Sequence, residues 1–195
     1  MTPRQIENTR KKIADVKRML AAEKRKFGGY DDSGGARYLP LRWYVQLEDY
    51  RGGLAYARWF AKTFPDDIGY PDFLFEWLLI LFKTGKLKEV EKKAFQVFCS
   101  NTYLFDRFFG WPVIQVNKWE GSNLESPAYV QVFHYFHLQR GFLEFSAWLT
   151  KYVQSEKFIL LSGKYIDIHK RLLEERDTEA RRNLISQARE LSGAG

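Results

Sequence analysis

The sequence predicts an all-α protein in which helix-turn-helix hairpins stack as a short solenoid or bundle. Two observations lead to this fold class. Apolar residues recur at helical spacing along much of the 195-residue chain, and glycines with matching neighbours return several times after residue 41. A chain of this length can bury roughly 70% of the surface that its unfolded form exposes. Sixteen Phe, eleven Tyr and six Trp residues supply large side chains for such a core.

The first predicted element is a basic amphipathic helix over residues 1–27. Thr2, Pro3 and Gln5 have the pattern of a capping box with proline at the first helical position. An apolar side chain then returns every seven residues, which makes one stripe along the helix. The stripe consists of Ile6, Ile13, Leu20 and Phe27. Because it is narrow, this stripe can pair with another helix of the same chain or of a second copy, so a homodimer stays open.

The positive charge of the chain is concentrated in the same helix. The net charge is +7, and residues 1–27 hold nine Lys and Arg against three Asp and Glu. Four cations keep the seven-residue period on the side opposite the stripe: Arg4, Lys11, Arg18 and Arg25. Cations at helical spacing neutralise phosphates, so binding of nucleic acid or an anionic surface is the alternative function. A solvated helix face explains the same charges, and the segment lacks the aromatic residues that nucleic-acid readers usually add.

A Gly-rich connection follows over residues 28–40. Four glycines and several turn-forming polar residues predict that the first helix ends here. A phosphate-binding loop would need a preceding strand and a Lys-Ser or Lys-Thr pair that opens a helix, and the sequence has neither.

Residues 41–163 carry the repeated pattern. Each repeat has a glycine, a leucine two places later, a small or medium-sized residue five places later, and a large residue eight places earlier. The glycines are Gly52, Gly85 and Gly141, the leucines are Leu54, Leu87 and Leu143, the smaller residues are Ala57, Val90 and Ser146, and the large residues are Tyr44, Trp77 and Phe133. The pattern predicts a helix, a turn at a glycine in the left-handed conformation, and a second helix.

The first two glycines are 33 residues apart, and the pattern resembles the tetratricopeptide repeat (TPR), a helix-turn-helix unit of about 34 residues. The resemblance covers roughly residues 41–101 and, more loosely, 127–156, with an insertion at about 102–126. The closing proline of the family is absent at its expected spacing. The resemblance implies TPR-like hairpins that form a curved array, whose inner face binds an extended peptide or a partner helix.

Three further helices complete the predicted fold. Residues 103–109 form a short helix that ends at Gly110, and Ser126 with Pro127 starts the first helix of the third hairpin. Residues 164–195 form a C-terminal helix that caps the array by covering its last apolar face.

The sequence offers little for catalysis. His134 and His137 are three residues apart, which suits a metal, but Glu144 and His169 would have to complete the site by tertiary proximity. Packing among neighbouring aromatic residues explains these histidines more simply. The carboxylate pairs are sequence neighbours, which point in different directions on a helix. We therefore predict no enzyme activity, no metal and no cofactor, and we expect the single cysteine, Cys99, to be a buried, inert thiol.

The predicted function is non-catalytic protein–protein interaction, as an adaptor, a client-specific chaperone or an inhibitor of the immunity type. The longest apolar stretch, Phe73 to Phe82, is too short for a membrane span of about twenty residues, so we expect no membrane contact. The N-terminus lacks the pattern of a secretory signal, which makes a cytoplasmic location the expectation. The candidate contacts are aromatic residues beyond those that the repeats require, although such residues also close irregular cores. They are Trp43, Tyr50, Tyr56, Trp59, Tyr70, Trp111 and Trp119.

Overall fold

The computed structural model describes residues 1–30, 32 and 34–193. Over these residues the chain has nine α-helices, three short 3-10 turns and no strand, which confirms the all-α class. The chain divides into two compact units, Met1–Lys86 and Leu87–Gly195. Four residues of the predicted segments lie outside the described residues. They are Asp31 and Ser33 of the Gly-rich connection and Ala194 and Gly195 of the predicted C-terminal helix.

The N-terminal unit is built from four helices. They are α1 (Pro3–Phe27), α2 (Leu39–Gln46), α3 (Tyr50–Thr63) and α4 (Pro71–Lys83), and a 3-10 turn (Ala36–Tyr38) precedes α2. Helix α2 packs against the other three, and α3 also packs against α4. The core of this unit is therefore centred on the short helix α2.

Helix α1 begins and ends as the sequence predicts. The Thr2 hydroxyl accepts a hydrogen bond from the Gln5 backbone N–H at 3.3 Å, and the Gln5 side chain accepts one from the Thr2 N–H at 2.7 Å. At the other end, Gly28 adopts a left-handed conformation with φ of 73°. Ile13 and Leu20 of the apolar stripe are buried, so the centre of the stripe is covered within the unit by packing on α2.

The predicted turn at Gly52 is wrong. Gly52 lies inside the first turn of α3. The chain reverses at Glu48 and Asp49, where Glu48 has a φ of 54° and the Asp49 side chain caps the helix by accepting from the Gly52 N–H. The glycines serve close packing instead. A Cβ atom at Gly53 would lie 2.7 Å from the Ile80 side chain, so α3 and α4 approach each other closely there.

The C-terminal unit contains five helices. They are α5 (Leu87–Ser100), α6 (Leu104–Phe109), α7 (Leu143–Val153), α8 (Glu156–Glu174) and α9 (Thr178–Ser192), with 3-10 turns at Asn123–Glu125 and Tyr129–Val132. Helix α8 packs against α5, α7 and α9. Phe95 and Phe98 from α5 meet Phe158 and Tyr165 from α8 in the aromatic core of this unit.

Two helix predictions fail in the C-terminal unit. The third hairpin lacks its first helix, because only a 3-10 turn forms before Phe133 and the chain then continues without helix to Phe142. This segment is rich in β-branched, aromatic and histidine residues, which are poor helix formers. The single helix predicted over residues 164–195 is two helices, since Asp177 caps a new one by accepting from the Ala180 N–H.

Only some residues of the repeat pattern have the conformation and burial that the pattern predicts. Gly85 and Gly141 adopt the left-handed conformation that the pattern predicts, and Ala57 is buried. The matching leucines Leu87 and Leu143, however, are more than half exposed. The Gly85 turn lies at the division of the two units, and Gly141 has no α-helix before it. Of the three predicted helix pairs, only α2 and α3 are two α-helices within one unit, and their turn lies before the predicted glycine.

Candidate protein-binding surface

The C-terminal unit displays large apolar side chains on a segment without α-helix. This segment, residues 110–142, joins α6 to α7. Its exposed large apolar residues are Trp111, Ile114, Val132, Phe136 and Leu138. Buried apolar area stabilises a fold by roughly 25 cal/mol per Å², and these side chains do not make that contribution because they are exposed. A cluster of such residues on one segment marks a surface that another molecule can cover.

Trp111 and the segment that carries Phe136 and Leu138 both lie beside Phe109. The Trp111 ring stacks on Phe109 with a centroid distance of 4.4 Å and an interplanar angle of 22°. Phe109 in turn lies 6.0 Å from the ring of His137, whose chain neighbours are Phe136 and Leu138. The exposed fractions are 43% for Trp111, 49% for Phe136 and 65% for Leu138. We refer to Trp111, Phe136 and Leu138 as the loop patch.

Hydrogen bonds fix the backbone that carries the loop patch. The His137 N–H donates to the Phe108 carbonyl at 2.9 Å, and the Ser146 hydroxyl of α7 donates to the His137 carbonyl at 2.9 Å. The Gln139 side chain accepts from the Phe136 N–H at 3.2 Å and donates to the His134 carbonyl at 3.3 Å. The apolar side chains are therefore presented on an ordered support, which lowers the entropy cost of binding.

The surroundings of the loop patch are polar. Exposed His134 and Arg140 lie on the same segment, and Gln139 is half-buried between them in sequence. An apolar centre with a polar rim is the usual anatomy of a protein interface. The arrangement therefore suits contact with a protein surface.

The sequence-predicted contact residues of the N-terminal unit are mostly part of its packing. Tyr56 is only 1% exposed and donates from its hydroxyl to the Arg37 carbonyl at 2.7 Å, so it belongs to the core. Trp59 is half-buried, with its ring 5.1 Å from Tyr56 and 5.8 Å from Phe64. Trp43 is half-buried on α2.

Two other predicted contacts of this unit lie nearer its surface. Tyr50 is half-buried at the start of α3, with the Lys83 ammonium 6.0 Å above its ring, and burial raises its pKa. Tyr70 is exposed and packs on Tyr38 with a centroid distance of 4.4 Å. Of the predicted contact residues, Tyr56 and Trp59 contact each other within the N-terminal unit, and Trp111 belongs to the loop patch.

Trp119 belongs to a buried polar cluster that anchors the predicted insertion. Its backbone N–H donates to the His169 carbonyl at 2.9 Å, and the His169 ring donates from Nδ1 to the Trp119 carbonyl at 3.0 Å. Beside it, the buried Lys118 ammonium lies 3.7 Å from Glu120 and 5.3 Å from the centre of the Tyr103 ring, and burial lowers its pKa. These groups bind one another, so we interpret the cluster of Lys118, Trp119, Glu120 and His169 as a structural clamp.

The clamp predicts a pH-dependent stability. Burial lowers the pKa of His169 below its usual 6.5, and the nearby Lys118 charge lowers it further, while the Trp119 hydrogen bond raises it. The unfolded chain therefore takes up this proton first, so stability is lost as the pH falls through 6.5 towards the lower native pKa. We expect wild type to lose more unfolding free energy than His169→Gln between about pH 7.5 and about pH 5 in urea titrations. Parallel pH profiles for the two proteins would contradict this role.

Other candidate chemistry does not assemble. Among the described residues, no three His, Cys, Asp or Glu side chains are placed to hold a metal ion. His134 is exposed, and His137 faces Phe108 and Phe109. Burial raises the pKa of the Cys99 thiol, which disfavours the reactive thiolate. Of the described helices, none combines the length and the apolar character that crossing a membrane demands.

An open groove lies between α8 and α9 in the C-terminal unit. Its volume is about 500 Å³. The residues that line it are Lys164, Asp167, Ile168, Arg171, Gln187, Glu190 and Leu191. Charged side chains of both signs border its apolar residues, Ile168 and Leu191.

Comparisons with known protein families, curated proteins and solved structures found no match for this chain. The assignment of the candidate surface therefore depends on the exposure and contacts of its residues. Sequence reasoning found Trp111 and missed Phe136 and Leu138, because the repeat pattern placed Phe136 on a helix. The run from Val130 to His137, with few strong helix formers, was the available signal.

Proposed function

We propose that this protein acts without catalysis by binding a protein partner through the loop patch. The observation that carries the proposal is the exposure of Trp111, Phe136 and Leu138 on a backbone held by the His137, Gln139 and Ser146 hydrogen bonds. Aromatic residues at the centre of an interface contribute a large share of the binding energy. A rigid display of such residues supports binding better than a disordered loop would.

The test is an affinity capture with matched variants. The tagged protein is incubated in its native lysate after nuclease treatment, and the retained proteins are identified at high salt. The patch variant carries Phe136→Ser and Leu138→Ser. The control carries Ile159→Ser and Leu160→Ser, which remove two large apolar side chains that are each 59% exposed on α8. We expect wild type and control to retain the same partner and the patch variant to lose it.

The single substitution Trp111→Ala is expected to weaken that complex by about 2 kcal/mol, or about thirtyfold in Kd, because it removes an aromatic anchor. Isothermal titration with the purified partner measures the change. Trp43→Ala, a half-buried tryptophan of the N-terminal unit, serves as the comparison. An equal loss for both tryptophans would contradict the assignment of the interface to the loop patch.

The same capture distinguishes the kinds of binding protein. One partner retained at high salt fits a dedicated chaperone or an inhibitor of the immunity type, whereas several unrelated partners fit an adaptor. Retention of the same proteins by the patch variant would overturn the proposal. So would a homodimer that the two patch substitutions dissociate, since the loop patch would then be covered by a second copy.

A further inference from the structure

We infer that the outward face of α1 binds the phosphate backbone of duplex nucleic acid without sequence preference. This surface is independent of the loop patch, and its function does not rest on the proposed protein partner. Four cations define it, and we refer to Arg4, Lys11, Arg18 and Arg25 as the basic row. All four are exposed in the structure.

The geometry of α1 places the basic row opposite the buried side of the helix. Thr9, Ile13 and Leu20 are the buried residues of α1, and they face the rest of the N-terminal unit. Residues spaced by seven drift only about 20° around a helix per step, so the four cations stay on one face. Adjacent members are about 10.5 Å apart along a helix of 25 residues, which is about 37 Å long.

The basic row is largely free of internal partners. In the part of the chain that the structure describes, Arg4, Lys11 and Arg25 form no ion pair, and Arg18 pairs with Asp15 one turn away. That pair is exposed and therefore contributes little, so a phosphate can replace the carboxylate. Glu7 is the other acidic residue on this face, which leaves four cations against two carboxylates.

A second row of cations lies along one border of the same face. Arg10, Lys17 and Lys24 also repeat every seven residues. Lys17 donates to the Tyr44 hydroxyl at 3.0 Å, and the Lys24 ammonium lies 5.6 Å above the Tyr30 ring. These contacts hold two border cations against the unit, so they extend the positive surface without adding flexible side chains.

The chemistry of the face favours a polyanion with densely spaced charges. Beside Glu7 and Asp15, the exposed residues between the cations on this face are Asn8, Ala14 and Ala22, so the row lacks an aromatic or large aliphatic anchor. A protein interface usually requires such an anchor. A membrane-binding helix inserts its apolar stripe, and here Ile13 and Leu20 of the stripe are buried within the unit. Binding of duplex nucleic acid requires neither an aromatic anchor nor an exposed apolar stripe, because the duplex backbone carries one charge per about 1.7 Å.

The experiment measures binding of a fluorescent DNA duplex of about 20 base pairs and mixed sequence, by anisotropy, at several salt concentrations. If the four cations each meet a phosphate, log K falls against log salt with a slope of about −3.6, which is about a hundredfold between about 50 and about 200 mM. We expect a second duplex of unrelated sequence to give the same curve. A clear preference between the two duplexes would overturn the inference.

Matched variants locate the site. The test variant changes all four residues of the basic row to Gln and is expected to bind at least tenfold more weakly, with a much shallower slope than wild type. The control removes the same charge from exposed positions elsewhere, through Lys88→Gln, Lys151→Gln, Lys170→Gln and Arg182→Gln. A third variant keeps the charge by changing Arg4, Arg18 and Arg25 to Lys and is expected to bind within about threefold of wild type.

The inference is overturned if the test and control variants bind the duplex equally well. It is also overturned if wild type binds a polyglutamate peptide or phosphatidylserine vesicles more tightly than the duplex, since the ligand would then be an acidic protein or a membrane. Circular dichroism confirms that each variant remains helical. Because Trp111→Ala leaves α1 unchanged, it is expected to bind the duplex as wild type does, and this separates the inference from the proposed function.

Discussion

Phe60→Ala is expected to destabilise the N-terminal unit by about 3–5 kcal/mol, because it removes a large side chain from a closed aromatic core. Phe60 is 1% exposed. Its ring lies 4.7 Å from that of Phe73, 5.2 Å from Phe64 and 5.8 Å from Tyr38. These neighbours come from α4 and from the segments that flank α2 and α3, so a cavity at Phe60 weakens contacts across most of the unit.

Urea unfolding followed by circular dichroism measures this loss. Phe27→Ala is the matched control, since Phe27 belongs to the same unit but is 64% exposed. We expect its effect to stay within about 0.5 kcal/mol. Similar effects for the two substitutions would show that the packing around Phe60 is not the main source of stability in the N-terminal unit.

Arg37→Ala is the second substitution with a large expected effect, because Arg37 joins the connection after α1 to the loop before α4. Its guanidinium donates to Asp67 at 2.8 Å, to the Asp32 carboxylate at 3.2 Å and to the Tyr38 hydroxyl at 2.9 Å. Tyr38 in turn donates to Asp67 at 2.6 Å. The Asp32 side chain is only 3% exposed, so removal of its cationic partner leaves a buried charge.

We expect Arg37→Ala to cost about 3–5 kcal/mol, as other broken buried ion pairs do. Arg37→Lys is the informative control: it keeps the charge but lacks the planar fork that reaches three partners, so it is expected to recover only part of the loss. Both are measured by urea unfolding. A loss below about 1 kcal/mol for Arg37→Ala would place the network among surface ion pairs of small effect.

Local signals in the sequence predicted several helix ends correctly. Thr2 and Gln5 specify the start of α1 because a capping box needs only residues within one turn. Pro71 at the first position of α4 and Gly110 after α6 are equally local. The Gly52 prediction failed because a nearby competitor, Asp49, caps α3 and moves the turn upstream, which leaves the glycines to serve helix packing.

Features that depend on tertiary contacts could not be predicted from the sequence. The Arg37 network joins residues about thirty positions apart in the sequence, and neither segment has a pattern that predicts the ion pair between Arg37 and Asp67. The loop patch depends on whether Phe136 and Leu138 are covered, and periodicity alone assigned this region to a helix. The exposure of an apolar side chain is decided by its neighbours in space, which a single sequence does not supply.

Site-specific photo-crosslinking in the native cell detects directly whether a protein partner contacts the loop patch. A photoreactive phenylalanine analogue replaces Leu138 in one protein and the exposed Lys151 of α7 in another. We expect one discrete crosslinked protein from position 138 and none from position 151. The same crosslinks from both positions, or none from position 138 while position 151 reacts, would contradict it.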